Sequence, residues 1–381
     1  MTPAIERLGI VGVGLIGGSL GLAARAAGLA REVVGLGRSQ ANLDVALERG
    51  IVDRAASDPA VLAGCDFVLL ATPVGALAAS ARAIAAHLAQ GAIVTDAGSV
   101  KARVVADCTA ALGGRARFVG GHPIAGTEES GAGAADRDLF RGARCVLTPV
   151  AGTDPAALAA VRRLWEGVGM QVSCMPPEEH DRALALLSHV PHLLAFALAL
   201  AAEPGGAAAG GEPATDVLEL AGPSFRDATR VAASSPEMWR DILTANAEAV
   251  GLALSRLRQG LESLETAIRQ GDSATLTALL ARAREVRTRL AHPSAAPVRK
   301  SAATQDVVIV APARGGLVGT IDSPGDKSIA HRALILAAVA DGRSTIHGVG
   351  TGADNRATIE VLRALGVRVE RRAGTVVVEG R

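Results

Sequence analysis

Tyrosine is absent from this chain, and aromatic residues make up only 2% of its 381 residues. The cores must therefore be built from Ala, Val, Leu and Ile. Lysine is nearly as scarce: Lys101, Lys300 and Lys327 stand alone, so almost all of the 39 basic residues are arginine. That bias lowers the weight of any single Arg and raises that of each Lys. The four cysteines (Cys65, Cys108, Cys145, Cys174) are widely spaced with no Cys-x-x-Cys pair, which excludes a disulfide framework and a zinc-type spacing. A net charge of +1 gives no reason to expect nucleic acid or a membrane surface as partner. The longest uninterrupted apolar run, residues 193–202, is too short to span a bilayer. The apolar N-terminus is glycine-rich and has no basic leader, unlike a signal peptide. These features predict a soluble, cytoplasmic protein of two or three domains.

Three textures follow one another along the chain. Short apolar strands at residues 8–11, 32–35, 67–71, 92–96 and 146–149 alternate with helices near 19–27 and 40–49. That alternation implies an α/β fold with a doubly wound parallel sheet. After Cys174 the pattern is helical to about residue 290, with Pro176 and Pro177 at a helix start and long Ala/Leu stripes. The stretch 239–269 has apolar positions at helical spacing over many turns. Helices this apolar must bury against each other or against a second subunit. A Gly/Ala/Pro loop at 205–213 interrupts them. Residues 293–306 read as a linker. Beyond it comes a partial α+β segment: strands at 307–310, 317–321 and 344–347, helices at 328–340 and 355–365, strands at 367–369 and 375–378. The implied domains are 1–175, 176–292 and 307–381.

Gly12-x-Gly14-x-x-Gly17 lies between the first strand and the first helix, the context of a dinucleotide-binding fingerprint. Gly12 permits the tight turn, Gly14 lets backbone approach the pyrophosphate, and Gly17 allows close helix–strand packing. Leu15 and Ile16, between Gly14 and Gly17, belong to the same cofactor site, and the N-terminus of the following helix offers free N–H groups to the phosphates. The second strand ends in Gly-Leu-Gly-Arg38-Ser39 with no carboxylate for the ribose 2′-hydroxyl. Arg38 and Ser39 suit a 2′-phosphate, so both NAD and NADP are open as cofactor. Thr72 and Pro73 follow the next strand, where a loop commonly covers the nicotinamide ribose.

Three polar segments are embedded in apolar sequence: Asp-Ala-Gly-Ser99-Val-Lys101, Gly-His122-Pro-Ile-Ala-Gly-Thr127 and Ser-His189-Val-Pro-His192. The first ends a strand. The second reads as a polar loop after another strand. The third places two His and a Pro inside a helix, at a cost that a function or a capped kink should explain. Together with Phe-Arg-Asp-Ala-Thr-Arg230 and Met-Trp239-Arg-Asp, these motifs resemble the prephenate (cyclohexadienyl, arogenate) dehydrogenase family over residues 6–290. The resemblance implies a Rossmann domain followed by a helical dimerisation domain, hence a homodimer. It implies oxidative decarboxylation of prephenate or arogenate with NAD or NADP, in tyrosine biosynthesis and without a metal. By resemblance His122 accepts the proton of the ring hydroxyl while hydride leaves the same carbon, a task that suits an imidazole. Ser99 orients this histidine, and Arg230 binds a substrate carboxylate. His192 and Thr127 line the pocket, and Trp239 reaches the pocket of the partner subunit. His189 is expected to cap or kink its helix, and His180 to be helix-start structure.

The tail holds a second motif, Ser-Pro-Gly-Asp-Lys327-Ser328-Ile-Ala-His-Arg332, followed by Gly-Thr-Gly-Ala-Asp-Asn-Arg at 350–356. Both resemble enolpyruvylshikimate-phosphate synthase, which implies anion binding by Lys327, Ser328 and Arg332. The segment covers only a small part of that fold, so no transferase activity is expected of it. Two other readings compete for the main part. A β-hydroxyacid-type dehydrogenase would place a catalytic Lys in the helical domain, where none occurs. A non-catalytic dinucleotide-binding scaffold has no need of His122, Ser99, His192 and Arg230.

Overall fold

The computed structural model describes residues 5–127, 129–203, 217–291, 327–349, 353–372 and 375–380. The linker at 293–306, the strands at 307–310 and 317–321, the start of the tail motif at 323–326, and the loops at 205–213 and 350–352 lie outside the described residues. The chain forms two compact units, Met1–Pro293 and Ser294–Arg381.

The first unit is built on an eight-stranded sheet. Its strands are β1 (Ile5–Val11), β2 (Ala30–Leu36), β3 (Arg54–Ala56), β4 (Phe67–Leu70), β5 (Ala92–Asp96), β6 (Ala116–Ile124), β7 (Arg144–Thr148) and β8 (Gln171–Cys174). Their order is β3-β2-β1-β4-β5-β6-β7-β8. Helices α1 (Leu15–Ala26), α2 (Gln40–Glu48), α3 (Leu77–Ala85), α4 (Ala102–Leu112) and α5 (Pro155–Gly167) connect the strands. Two core clusters form in this unit, one around Leu8, Ile10, Leu20 and Trp165, the other around Val34, Val68, Leu77 and Ile84. β4 is buried at every position, which explains its unbroken apolar sequence.

The sheet departs from the expected all-parallel arrangement at one step. β6 and β7 pair antiparallel, whereas β7 and β8 pair parallel again. The physical reason is the connection: the described residues between β6 and β7 carry only a short 3-10 turn at Ala132–Ala134, and none of them forms a crossover helix. The alternating pattern also concealed β3 and β8, and the strand read before Gly121 runs on through His122 to Ile124 as β6. β6 contains Gly120, Gly121 and Pro123, residues that weaken a strand signal.

Helices α6 (Pro177–Leu184) and α7 (Val190–Ala201) are joined by a π turn at Ala185–His189. The expected interruption at Ser-His-Val-Pro-His is therefore a widened turn in a continuous helix. Pro191 has no N–H to donate to the carbonyl four residues earlier, and the π turn absorbs that mismatch. By length and composition Pro177–Ala201 could cross a bilayer, but His180 and His189 are fully buried in it and bonded to His122 of β6 and to Asn246. The helical part continues with α8 (Pro223–Thr229), α9 (Pro236–Ala245), α10 (Ala247–Gln270) and α11 (Ser273–Ala291). The single stripe read at 239–269 is two helices, broken at Asn246 (φ −118°). Leu252, Leu261, Ile268, Leu280 and Val286 stay exposed on α10 and α11.

The second unit comprises α12 (Lys327–Val339), β9 (Gly342–His347), α13 (Ala353–Ala364), β10 (Arg368–Arg372) and β11 (Thr375–Gly380). Its antiparallel sheet has the order β10-β11-β9 and packs on Leu334, Ile359 and Leu362. His331 on α12 and Thr358 on α13 are hydrogen-bonded at 2.6 Å.

Candidate active site

The fingerprint loop has the shape a pyrophosphate requires. Gly12 sits at φ +93°, and a Cβ there would lie 2.7 Å from the Ala71 carbonyl oxygen. A Cβ on Gly17 would lie 2.2 Å from the Gly12 carbonyl oxygen. Gly14 differs: a Cβ there would meet nothing within 4 Å. It is the N-cap of α1 and offers no side-chain cap, so the helix's first N–H groups face open space. The residues thus fit a dinucleotide. Ser39 caps α2, accepting from the Asn42 N–H, while Arg38 is exposed at the end of β2. Thr72 approaches Ser80 at 3.3 Å beside Pro73.

His122 lies within β6, not in a loop, and is 8% exposed. The backbone just before it is braced from both sides. Asp96 accepts from the Gly121 N–H, and Lys101 donates to the Gly121 carbonyl at 2.7 Å. Asp96 and Lys101, both fully buried, also form an ion pair with each other. Gly121 is needed there, since a Cβ would lie 2.9 Å from the Asp96 carbonyl oxygen.

Behind the His122 ring runs a chain of hydrogen bonds. His122 Nδ1 and His180 Nε2 are 2.8 Å apart, and His180 Nδ1 lies 2.8 Å from Asp181 Oδ1. The Asp181 carboxylate also accepts from the backbone N–H groups of Lys101 (2.7 Å) and Ala102 (2.8 Å) at the start of α4. A carboxylate at a helix N-terminus is stabilised as the anion. It must then accept from His180 Nδ1–H, which leaves His180 Nε2 as an acceptor. That nitrogen in turn fixes the proton of His122 on Nδ1, so His122 Nε2 carries a free lone pair; the tautomers are assigned from this network. Burial holds the His122 pKa well below 6.5, helped by the charges of His180, Lys101 and His189.

Three rings stand close together on the helical side. His192 stacks on Trp239 with centroids 3.8 Å apart, and His189 meets Trp239 edge-on at 6.0 Å. His192 donates from Nδ1 to the Ser188 carbonyl at 2.9 Å, which leaves its Nε2 as an acceptor. Asn246 approaches His189 Nδ1 with its amide nitrogen at 3.2 Å. The amide donates, so the His189 proton sits on Nε2. That N–H and the Trp239 indole N–H are buried donors with no acceptor among the described residues. Burial pushes His189 down to about 4, and His180 and His192 push it in the same direction. Burial also lowers His192, as does the Arg230 charge.

The structure thus gathers some expected residues and separates others. His192 stacks on Trp239 and feels the Arg230 charge; Arg230 is exposed after α8. Trp239 is 5% exposed within its own chain. Ser99 is half-buried in the turn after β5, and Thr127 is exposed after β6. Arg332 is exposed on α12, in the other unit. Lys327 and Ser328 begin that helix. His180 is not merely helix-start structure, because it bridges His122 to Asp181. The adjacent His-Asp pair was the available signal, and the solitary Lys101 was the signal for the brace under β6.

A dinucleotide cradle at one edge of a doubly wound sheet, with a buried, oriented imidazole and a helical region beside it, defines a nicotinamide-dependent dehydrogenase. Residues 20–174 match the prephenate dehydrogenase nucleotide-binding domain and residues 176–282 its dimerization domain. A cyclohexadienyl dehydrogenase of Zymomonas mobilis is 36% identical over 270 residues, covering 70% of this chain and 90% of that protein. The crystal structure of prephenate dehydrogenase from A. aeolicus, in complex with hydroxyphenyl propionate and NAD+, superposes with a TM-score of 0.72 at 35% identity. It covers 76% of this chain and 100% of that one. The chain belongs to the prephenate dehydrogenase family. Residues 312–381 match EPSP synthase (3-phosphoshikimate 1-carboxyvinyltransferase). A 3-phosphoshikimate 1-carboxyvinyltransferase of Streptococcus pyogenes serotype M49 is 52% identical over 66 residues, which are 16% of that protein.

Proposed function

We propose that this chain oxidatively decarboxylates prephenate, or its amino-acid counterpart arogenate, with His122 as the base. The observation that carries this reading is the Asp181–His180–His122 chain, which leaves His122 Nε2 unprotonated. A bound nicotinamide would supply the acceptor for hydride leaving the ring carbon that bears the hydroxyl. His122 Nε2 accepts the hydroxyl proton as that carbon becomes a carbonyl. The bond to the ring carboxylate then breaks, CO2 leaves, and its electron pair flows through the ring to the oxygen, which takes a proton to give a phenol. Aromatisation drives the step, and the residues supply orientation and charge. Arg230 and His192 hold a substrate carboxylate, with Trp239 as the wall behind His192. Ser99 and Thr127 approach the substrate from the turns after β5 and β6. Gly12, Gly14, Leu15, Ile16 and Gly17 hold the pyrophosphate, and Thr72 and Pro73 flank the nicotinamide ribose. Arg38 and Ser39, with no carboxylate beside them, admit a 2′-phosphate as well as a hydroxyl.

The exposed leucines of α10 and α11 support a homodimer as the working form. The direct test is dinucleotide reduction with prephenate and with arogenate, each paired with NAD and with NADP. Turnover with either acid, yielding CO2 and a phenol, is expected. Dinucleotide binding without turnover in all four pairings would refute the assignment.

A further inference from the structure

The connection from β6 to β7 carries Thr127 away from His122 and returns across the dinucleotide half of the unit. It is tied there at several points. Asn42, in the first turn of α2, accepts from the Ala132 N–H at 2.7 Å and donates to the Val13 carbonyl at 2.7 Å. Val13 lies inside the fingerprint, between Gly12 and Gly14. The backbone N–H of Asn42 is bonded to Ser39, the cap at the end of β2. Arg49 donates to the carbonyls of Ala132, Gly133 and Ala135. Ser19 in α1 accepts from the Asp136 N–H at 2.9 Å. The two Asn42 bonds link the fingerprint backbone to this connection through one side chain. Gly131, at φ +84°, lies so close that a Cβ would sit 3.2 Å from Asn42 Oδ1.

From this arrangement we propose that Asn42 is a positioning residue that couples the dinucleotide site to the substrate loop. Its amide reads the fingerprint carbonyl with one end and sets residues 131–136 with the other. A dinucleotide that fixes the fingerprint backbone thereby fixes the loop that carries Thr127. By reciprocity the substrate tightens the dinucleotide by the same factor, on the order of 5- to 100-fold for couplings of this kind. Arg49 and Ser19 hold the same loop with no hydrogen bond to the fingerprint turn among the described residues, so they contribute order without coupling. The inference rests on the proposed roles of the fingerprint and of Thr127.

The experiment is calorimetric titration of the full chain with NAD+ or NADP+, whichever binds more tightly, with and without saturating 4-hydroxyphenylpropionate. The proteins are wild type, Asn42→Ala, Asn42→Asp and Ser19→Ala. The wild type is expected to bind the dinucleotide several-fold more tightly when the acid is present. Asn42→Asp keeps the acceptor for Ala132 but loses the donor to Val13. It is expected to bind each ligand alone within about threefold of wild type, with the synergy factor reduced to near one. Asn42→Ala behaves likewise, and Asn42→Asp covers the case in which it does not fold. Ser19→Ala retains the synergy. Wild-type synergy preserved in both Asn42 variants would overturn the proposal, as would its absence from the wild type. Failure of the wild type to bind the acid at all would instead refute the functional reading on which the proposal stands.

Discussion

Replacing His180 with Phe isolates the hydrogen-bond chain behind His122. The two rings are similar in size, and His180 is fully buried, so the packing is largely kept. Two bonds of 2.8 Å are lost, one to His122 Nδ1 and one to Asp181 Oδ1. Asp181 keeps its two backbone donors at the start of α4. His122 keeps nothing in exchange, and an unsatisfied buried N–H costs about 1–3 kcal/mol. The protein should therefore be destabilised by roughly that amount and remain folded at room temperature. The catalytic effect is larger, because nothing then holds the His122 proton on Nδ1. Misassigning the tautomer of a catalytic histidine in a serine protease costs about 10⁴ in kcat. A loss of roughly 10²- to 10⁴-fold in kcat is expected here, with the dinucleotide Kd unchanged. Steady-state nicotinamide absorbance gives kcat, and titration gives Kd. A kcat within about threefold of wild type would refute the role of His180.

Gly14→Val should fold normally, since the added side chain meets open space, yet bind dinucleotide at least about tenfold more weakly; calorimetry reads the affinity and thermal melting reads the fold. The pH profile of kcat/KM should stay flat through neutrality and fall only below pH 6.5, because burial holds the His122 pKa well below that value. Stability should follow the same sign. His189 has a folded pKa of about 4, below its unfolded value, so the unfolded chain binds more protons and stability is lost as pH falls from 6.5 toward 4. Denaturant titrations across that range check it. Arg38→Glu should raise the KM for NADP by about tenfold or more with little change for NAD, measured with prephenate held saturating.

Much of this site was readable from residue order because its residues fall in local motifs. The fingerprint needs only a strand, three glycines and a helix in sequence, and all three stand where the sequence placed them. The adjacent His180-Asp181 pair was the one sequence signal for the bridge, and its partner His122 was not readable from it. The bridge depends on α6 reaching β6 across the unit, and no local pattern reports that approach. The same holds for Lys101, whose charge is buried only because Asp96 and the Gly121 carbonyl converge on it. β6 was read as a loop at His122 because Gly and Pro break strand periodicity, although the glycines are there to let β6 close on Asp96 and Thr148. The antiparallel step at β7 followed from the missing crossover helix, a long-range consequence that strand counting does not show.

The most direct measurement compares wild type with His122→Asn in one assay: dinucleotide reduction by prephenate, alongside dinucleotide binding. Turnover by the wild type, equal dinucleotide affinity in both proteins, and a loss of about 10²-fold or more in the variant are expected. Equal turnover in the two proteins would remove His122 from the chemistry and contradict the mechanism.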